Sequence, residues 1–325
     1  VDPVVAAAQP TTAETHRELL LDGHRLNEPT YDTIGAVSDF ITDVDLIERV
    51  EVIRGPGSAL YGSNAFIAVI NVITRKAADF HGLEASAEAG SFSTYKARAS
   101  YGRVFDNGLS ILLSGTISDS QGPMSHYYKE FDSKETNHGL AQGLDGDRYY
   151  SGLATIQYKD FTLQAGHIWR WKDVPTAPYE TVFNGSSMYT NDERTYARLS
   201  YSHTFGTETT VRADLHWDRY SHSGDYPYDG TDITPSGILL NRDIAIGEWW
   251  GLDLQVSQRL FQKHLLTAGA EYRSNYELQI TNFYFDPQTF DYNLHTDFET
   301  YGLFVQDEWM ISDKWSVNLG VRYDV

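Results

Sequence analysis

Three side chains with acid–base potential lie close together in the second half of the sequence, at His216, Asp218 and His222. Alternate positions of an extended strand share one face, so an imidazole and a carboxylate spaced in this way could supply a general base and the group that orients it. No nucleophile elbow, HExxH, P-loop or dinucleotide fingerprint accompanies them in the sequence. We therefore keep hydrolysis only as a remote alternative and predict no catalytic residue.

A second candidate for chemistry is the short acidic turn Asp145-Gly146-Asp147. Carboxylate oxygens are ligands that calcium prefers, but the other positions of a calcium-binding loop do not follow here. The sequence contains no cysteine, which excludes disulfides, thiolate metal sites and cysteine nucleophiles. We predict no cofactor and no metal, with a solvated loop at these aspartates and calcium as the alternative.

Composition narrows the class of protein further. The 325 residues include 45 acidic and 25 basic side chains, a formal net charge of -20, and no cluster of Lys and Arg that could neutralise phosphates, so we predict no nucleic-acid partner. The mean hydropathy is -0.42, and no apolar run approaches the roughly 20 residues of a membrane-spanning helix. Yet the 22 Tyr, 15 Phe and seven Trp residues are typical of a transmembrane β-barrel with aromatic girdles.

From residue 82 onward, apolar and polar residues alternate in segments separated by breaks, the pattern of strands with one apolar and one polar face. The pattern predicts eleven antiparallel strands: 82–90, 94–105, 108–118, 148–159, 161–171, 197–201, 211–217, 250–256, 266–272, 299–310 and 314–325. Plugged outer-membrane transporters have about 22 strands. We therefore predict an all-β transmembrane barrel that is partial in this chain.

The predicted connections alternate between two kinds. Tight turns are expected at Asp106-Asn107, Lys159-Asp160, Gly206-Thr207, Gln262-Lys263 and Ser312-Asp313. Long polar loops are expected at 120–147, 172–194, 222–246 and 278–297. Tight turns at one end and long loops at the other are typical of outer-membrane barrels.

The tryptophans are predicted to lie near strand ends, where amphipathic rings would contact lipid headgroups. We interpret all seven as membrane anchors and not as ligand contacts: Trp169, Trp171, Trp217, Trp249, Trp250, Trp309 and Trp315.

The segment that precedes the barrel, residues 46–75, reads LIERVEVIRGPGSALYGSNAFIAVINVITR. Two β-rich runs, 50–53 and 68–74, flank a glycine-rich loop, and neither run alternates, so we predict two buried strands after a short helix at 44–49. The segment resembles the second half of the plug domain of TonB-dependent outer-membrane receptors, and the similarity extends back through LLDGHRLNEP to residue 20. One departure is Ile67-Ala68, where that family usually has paired glycines.

The resemblance implies a partial α+β plug domain at 1–80, present in its C-terminal part, and the N-terminal half of a larger receptor β-barrel at 81–325. It implies a receptor in the outer membrane of a Gram-negative bacterium, in contact with outer-membrane lipid. Such receptors take up a scarce metal chelate with energy from TonB, here most simply a ferric siderophore; cobalamin or haem is the alternative, and a passive porin a remote one. We expect that the chain is truncated at both ends and lacks the segment that contacts TonB.

The resemblance also nominates functional residues. Ligand contacts are expected at the plug apex, at Asn27, Tyr31, Asp32 and Thr33, with a locally capped turn as the alternative. The aromatic residues of the long loops provide further candidates: Tyr127, Tyr128, Tyr179, Tyr226 and Tyr284. Because these loops carry few cations, they suit a bulky, flat or neutral ligand better than a polyanion.

Contacts between plug and barrel are expected to pair opposite charges, since unpaired buried ions are costly. Arg54 is the plug residue predicted to bind a barrel carboxylate, as the resemblance implies. The remaining candidates for this contact are Glu51 on the plug and Glu271 and Glu308 on the barrel. A wet lumen lined by solvated charges is the alternative.

Overall fold

A computed structural model describes residues 17–31, 40–54, 62, 65, 67–185 and 188–325. Within these residues the chain forms strands and short 3-10 turns, which are numbered here in chain order. The strands are β1 Arg17–Leu21, β2 His24–Arg25, β3 Ile47–Arg54, β4 Ala68–Thr74, β5 Gly82–Gly90, β6 Thr94–Val104, β7 Ser110–Ser120, β8 Ser125–Tyr127, β9 Leu140–Gln142, β10 Asp147–Tyr158, β11 Phe161–Asp173, β12 Tyr189–Phe205, β13 Thr209–Asp229, β14 Ile238–Leu260, β15 His264–Phe285, β16 Gln288–Ser312 and β17 Trp315–Asp324. The 3-10 turns are Val44–Leu46, Ala77–Asp79, Lys129–Phe131, Asn137–Gly139 and Pro178–Glu180.

The first four strands form a small sheet in the order β2-β1-β4-β3, which we call the plug sheet. Strand β4 runs parallel to β1 and antiparallel to β3. A tight turn joins β1 to β2, where Asp22 and Gly23 adopt positive φ angles of 50° and 81°; glycine adopts such a conformation without steric strain.

Two predictions for this sheet were wrong in part. The predicted helix at 44–49 is a single turn, Val44–Leu46, and the strand begins at Ile47. Strand β4 is largely buried as predicted, but β3 is not, with Val50 51% and Val52 55% exposed. The reason is its position: β3 is an edge strand that pairs only with β4, so apolar composition alone did not reveal its exposure.

The second sheet contains eleven strands, β5 to β7 and β10 to β17, in sequence order. Every neighbouring pair is antiparallel, which confirms the predicted count and direction. We call this sheet the wall. Its register places apolar residues of adjacent strands side by side, as where Leu215 lies between Leu199 and Leu252. These side chains are 37 to 50% exposed, so the predicted apolar outer face is confirmed.

Four of the five tight turns lie where the sequence predicted them, and the last lies one residue later, because Ser312 still belongs to β16. Two of the long loops do not exist as loops. Strands β13 to β16 are 21, 23, 22 and 25 residues long and pass through most of 222–246 and 278–297. Cross-strand pairing continues as far as Asp229↔Ile238 and Phe285↔Gln288. A run of polar residues indicates that both faces of a strand contact water. It does not indicate where hydrogen bonding to the neighbouring strand ends. About 10 residues suffice for a strand to cross a membrane, so these strands are about twice as long as one crossing needs.

The other two predicted loops are partly structured. Residues 120–147 contain a two-stranded sheet of β8 and β9, and residues 172–194 contain the turn Pro178–Glu180. Among the described residues, no helix is long and apolar enough to span a membrane.

The plug sheet packs against the polar face of the wall, which is therefore its inner face. One buried apolar cluster joins them, with Leu21 and Ile41 from the plug and Leu153 and Ile168 from the wall. Gly166 permits the close approach, because a Cβ atom there would lie 2.7 Å from Cγ2 of Ile41. The arrangement of an apolar outer face and an inner face covered by the N-terminal residues is thus confirmed.

Candidate functional site

Buried polar contacts join the plug sheet to the middle of the wall. His24 of β2 places Nε2 2.8 Å from Oδ1 of Asp218 on β13, and His216 places Nδ1 2.7 Å from the other oxygen of the same carboxylate. Asp218 is fully buried and His24 is 3% exposed. The His24 ring also stacks on Tyr196 of β12, with ring centroids 4.5 Å apart. A single wall carboxylate therefore receives one imidazole from each part of the molecule.

The turn that carries His24 makes further contacts with the wall. Gln164 Nε2 donates to Oδ2 of Asp22 over 2.7 Å, and Arg198 Nη1 donates to the Asp22 carbonyl over 3.0 Å. Within the plug, the same aspartate accepts hydrogen bonds from the backbone and hydroxyl of Thr74. Asp22 thus ties β1 to β4 and both to the wall.

A second group of polar contacts lies near the start of the wall. Lys96 of β6 is 2.9 Å from Asp43, and Arg98 is 3.5 Å from Asp45. Burial opposes ionisation of Asp43, but the Asp45 backbone amide and Lys96 outweigh it and lower the pKa of this carboxyl. Together with the His24, Asp22 and Ile41 contacts, this group forms what we call the seam.

Sequence reasoning missed most of the seam. The signal available was the parity of the wall strands, because Gln164, Arg198 and Asp218 all occupy inner-face positions. Parity does not identify the partner, since the plug residues Asp22, His24 and Asp43 lie in or beside turns, where strand periodicity gives no information.

The predicted contact residues are distributed differently. Arg54 is exposed, and no ion pair within the described residues includes it; Glu51 pairs instead with Arg49 on the same strand at 2.8 Å. Glu271 is 2.6 Å from Arg322 on the wall, and the plug arginine that interacts electrostatically with Glu271 is Arg25. The carboxylate of Glu308 is 3.5 Å from Gln306 on its own strand. The Arg54 contact therefore stays a prediction.

The structure also divides the His216, Asp218 and His222 group. His222 places Nδ1 2.8 Å from Asp192 of β12, whereas the other two residues face the plug. At the acidic turn, Asp147 accepts hydrogen bonds from Arg170, one of them over 2.6 Å, and Asp145 forms an ion pair with Lys172. These cations occupy the carboxylate oxygens that calcium would need.

Farther along β13 and β14, a plug loop meets the wall again. Tyr31 packs against Tyr220, Ala245 and Trp249, and its hydroxyl donates to Oδ2 of Asp243 over 3.3 Å. Burial, with the nearby carboxylates of Asp243 and Glu28, raises the pKa of the Tyr31 phenol above its ordinary value, which keeps it a neutral donor.

Trp249 corrects one sequence prediction. It is 1% exposed, and the guanidinium of Arg273 lies 4.5 Å from its ring centre. It therefore faces the plug and is not a membrane anchor. Strand parity alone assigns Trp249 to the inner face, because its neighbour Trp250 belongs to the outer face and Trp249 lies opposite the buried Asp218. The error came from interpreting all the tryptophans alike.

Other aromatic residues surround this point. Three inner tyrosines lie near the ends of the long hairpins: Tyr226, Tyr228 and Tyr284. Tyr226 and Tyr284 are both register partners of Asn241, two residues from Asp243, and the rings of Tyr228 and Tyr284 are 6.4 Å apart. We call the Tyr31 contacts and the inner tyrosines the apex.

The remaining predicted residues are placed as follows. Tyr179 lies 5.9 Å from Tyr226, edge to face, and thus borders the apex. Tyr127 and Tyr128 belong to a separate group around β8, where Tyr127 donates to Asp132 and Tyr128 contacts Phe183. Asn27 is buried and its carboxamide oxygen accepts from the Leu19 amide.

Two of the nominated residues, Asp32 and Thr33, lie outside the described residues. Ligand contact by any of the nominated residues stays a prediction.

Comparisons with known proteins agree with this architecture. The TonB-dependent receptor plug domain matches residues 12–69, and the TonB dependent receptor-like β-barrel matches residues 126–325. The vitamin B12 transporter BtuB of Vibrio vulnificus is 35% identical over 150 residues, which cover 46% of this chain and 23% of that protein.

Solved structures share the fold at low identity. The ferric-catecholate import receptor Fiu from E. coli K12 is 16% identical with a TM-score of 0.65, covering 96% of this chain and 53% of that one. The ferric yersiniabactin uptake receptor FyuA from Yersinia pestis is 15% identical with a TM-score of 0.66, covering 95% and 47%. This chain thus spans about half the length of these receptors. The match to the receptor β-barrel covers more than half of the sequence, and a match to the plug domain precedes it. The plug sheet lies on the inner face of an antiparallel wall. The chain therefore belongs to the TonB-dependent receptor family.

Proposed function

We propose that this chain is part of an outer-membrane receptor of a Gram-negative bacterium that binds a scarce metal chelate and imports it with energy supplied through TonB. The observation that carries the proposal is the apex, where Tyr31 of the plug contacts the wall near Asp243 and the inner tyrosines. A solute bound there would touch plug and wall at once. Movement of the plug would change those contacts and open a path, and no covalent chemistry is needed. A passive porin would not need the plug contacts.

A ferric siderophore is the first candidate for the solute. It is supported by the solved receptors of the same fold whose names refer to ferric-catecholate import and ferric yersiniabactin uptake. A corrinoid or haem is the second candidate, and two observations favour it. Part of the chain is 35% identical to a vitamin B12 transporter. In addition, Arg170, Lys172 and Arg242 are each paired with an aspartate, whereas an anionic chelate is bound best by available cations.

Substitution of Tyr31 tests the site. In the full-length receptor, Tyr31→Ala should weaken binding of the transported chelate by about tenfold, as loss of a central aromatic contact typically does. Binding of a ferric catecholate, cyanocobalamin and haemin to the detergent-extracted receptor would be measured by fluorescence quenching. Tyr158→Ala is the matched control, because Tyr158 lies on the outer face beside a tight turn. Equal affinity in both variants would exclude the apex as the binding site.

The nutrient itself can be identified separately. Expression of the gene would be measured in media depleted of iron, corrinoid or haem. Induction by iron depletion supports the siderophore, and induction by corrinoid or haem depletion supports the second candidate. Unchanged expression in all three media would count against uptake of any of them.

A further inference from the structure

The seam contains a cluster of metal-ligating groups. It consists of His24 from the plug and His216 and Asp218 from the wall. Each residue offers one ligand atom, and the three atoms lie within 4.8 Å of one another. All three residues are largely protected from water, since Asp218 is fully buried and the His216 side chain is 12% exposed.

We propose that these three residues bind a single divalent transition-metal ion that joins the plug to the wall. Two imidazole nitrogens and one carboxylate oxygen are a ligand set that suits Zn²⁺, with water completing a tetrahedron. Metal–ligand bonds of about 2.0–2.2 Å place ligand atoms roughly 3.3 Å apart. His24 and His216 lie 2.8 and 2.7 Å from different oxygens of Asp218, so one of these distances is already below that value whichever oxygen binds the ion. The outermost pair of atoms must close by about 1.5 Å, which small rotations of the two rings can supply.

The surroundings hold the two rings in place. His24 stacks on Tyr196, which is itself buried, and the two imidazoles meet edge to face with centroids 5.2 Å apart. His216 turns its second nitrogen, Nε2, toward Asp253 at 3.9 Å. At this distance the two groups are not hydrogen-bonded; if binding of the ion brings them to about 3 Å, the carboxylate would orient the ring and strengthen it as a ligand. Gly251, on the strand beside His216, leaves the space that this ring occupies.

The position of the cluster determines what the ion would do. His24 lies on the plug strand β2, whereas His216 and Asp218 lie on the wall strand β13. A bound ion would therefore cross-link the two parts, and withdrawal of the plug would break a metal bond. Because the cluster is buried at the seam and not at the apex, the ion is a structural component and not the transported cargo. The inference does not depend on which chelate is transported.

The test is a metal titration of the full-length receptor in detergent. The protein is stripped with EDTA, freed of chelator, and titrated with Zn²⁺ by calorimetry and with Co²⁺ by absorption spectroscopy. The variants are His24→Ala and Asp253→Asn. The matched control is His222→Ala, which removes an inner-face histidine on the same strand that also pairs with an aspartate, Asp192 at 2.8 Å. Heat-modifiable migration on gels verifies that each variant is folded.

We expect the wild type and His222→Ala to bind one more equivalent of Zn²⁺ per receptor than His24→Ala binds. Asp253→Asn should bind the ion on the order of 10–100-fold more weakly, as loss of an outer carboxylate does. Zn²⁺ should raise the Tm of the wild type and of the control but not of His24→Ala. If His24→Ala does not fold, His24→Gln, which retains a polar contact with Asp218, replaces it. Equal stoichiometry in wild type and the folded His24 variant would overturn the proposal and leave a hydrogen-bonded His–Asp–His cluster.

Discussion

At the seam, His24 and Ile41 of the plug meet wall residues that water does not reach, whereas at the apex Tyr31 meets the wall beside tyrosines that stay partly exposed. Both regions join the same two parts of the chain. The seam does so through a continuous apolar cluster and fully buried charges, and the apex through aromatic rings and one long hydrogen bond of 3.3 Å. The difference indicates two roles: the seam holds the plug against the wall, and the apex leaves ring surface available for a solute.

Asp218→Ala should have the largest effect. It removes the carboxylate that two imidazoles share and leaves two ring N–H donors at the seam without their acceptor, at about 1–3 kcal/mol each. Denaturant-induced unfolding of the full-length receptor would measure the change in the free energy of unfolding. Glu193→Ala is the control, because Glu193 and Arg219 form a half-exposed pair at 3.5 Å and should contribute under about 1 kcal/mol. Similar losses of unfolding free energy in both variants would show that the buried contacts of the seam stabilise the protein no more than a half-exposed ion pair does.

Gly166→Ala should have the next largest effect. A Cβ atom at this position would lie 2.5 Å from Tyr196 and 2.7 Å from Ile41, so plug and wall would have to separate. Overpacking of this kind costs about 1–3 kcal/mol. Gly115→Ala is the matched control, since the nearest atom to its added Cβ is 3.9 Å away. The Tm of the two variants would be compared, and a Gly166→Ala receptor as stable as the control would show that the contact at β11 is loose.

Tyr31→Phe should have a smaller effect on stability. It removes the hydroxyl that donates to Asp243 but keeps the ring against Trp249, and a single hydrogen bond contributes about 0.5–1.5 kcal/mol. The same unfolding measurement applies, with Tyr158→Phe as control. A loss as large as that of Asp218→Ala would mean that the apex also holds the plug in place.

Arg54→Ala should have the smallest effect on the described contacts. Arg54 is exposed, and substitutions at such positions usually change stability by less than about 0.5 kcal/mol. The passive ion conductance of the full-length receptor in planar bilayers would be compared with that of His24→Ala, which should rise. An equal rise for Arg54→Ala would instead support the plug–barrel contact that the family resemblance implies.

The sequence predicted the wall well because the information needed is local. Alternation at positions such as Val211, Ala213 and Leu215 shows which side chains share a face, and a continuous meander follows from short turns between neighbours. The plug was predictable by resemblance. The ends of the two long hairpins could not be predicted, because pairing such as Asp225↔Arg242 depends on a partner strand and not on hydropathy.

The contacts of the site were the least predictable part. His24 follows a turn and has no periodic neighbours, so its partner on β13, 194 residues away, is set only by the way in which the plug docks. Trp249 is different, because its parity relative to Trp250 already places it on the inner face, opposite Asp218. Arg25 is a plug residue that interacts with Glu271, a contact that depends on the distance between two folded parts.

The strands of the wall lengthen markedly from β5, with nine residues, to β16, with 25, whereas β17 has 10. At about 3.3 Å per residue, the later hairpins rise tens of ångströms beyond the earlier ones, so the rim is tall on one side. Because cross-strand hydrogen bonds fix these projecting ribbons, a solute captured between them would immobilise few additional torsions. Less conformational entropy would be lost on capture than with unpaired loops of the same polar sequence.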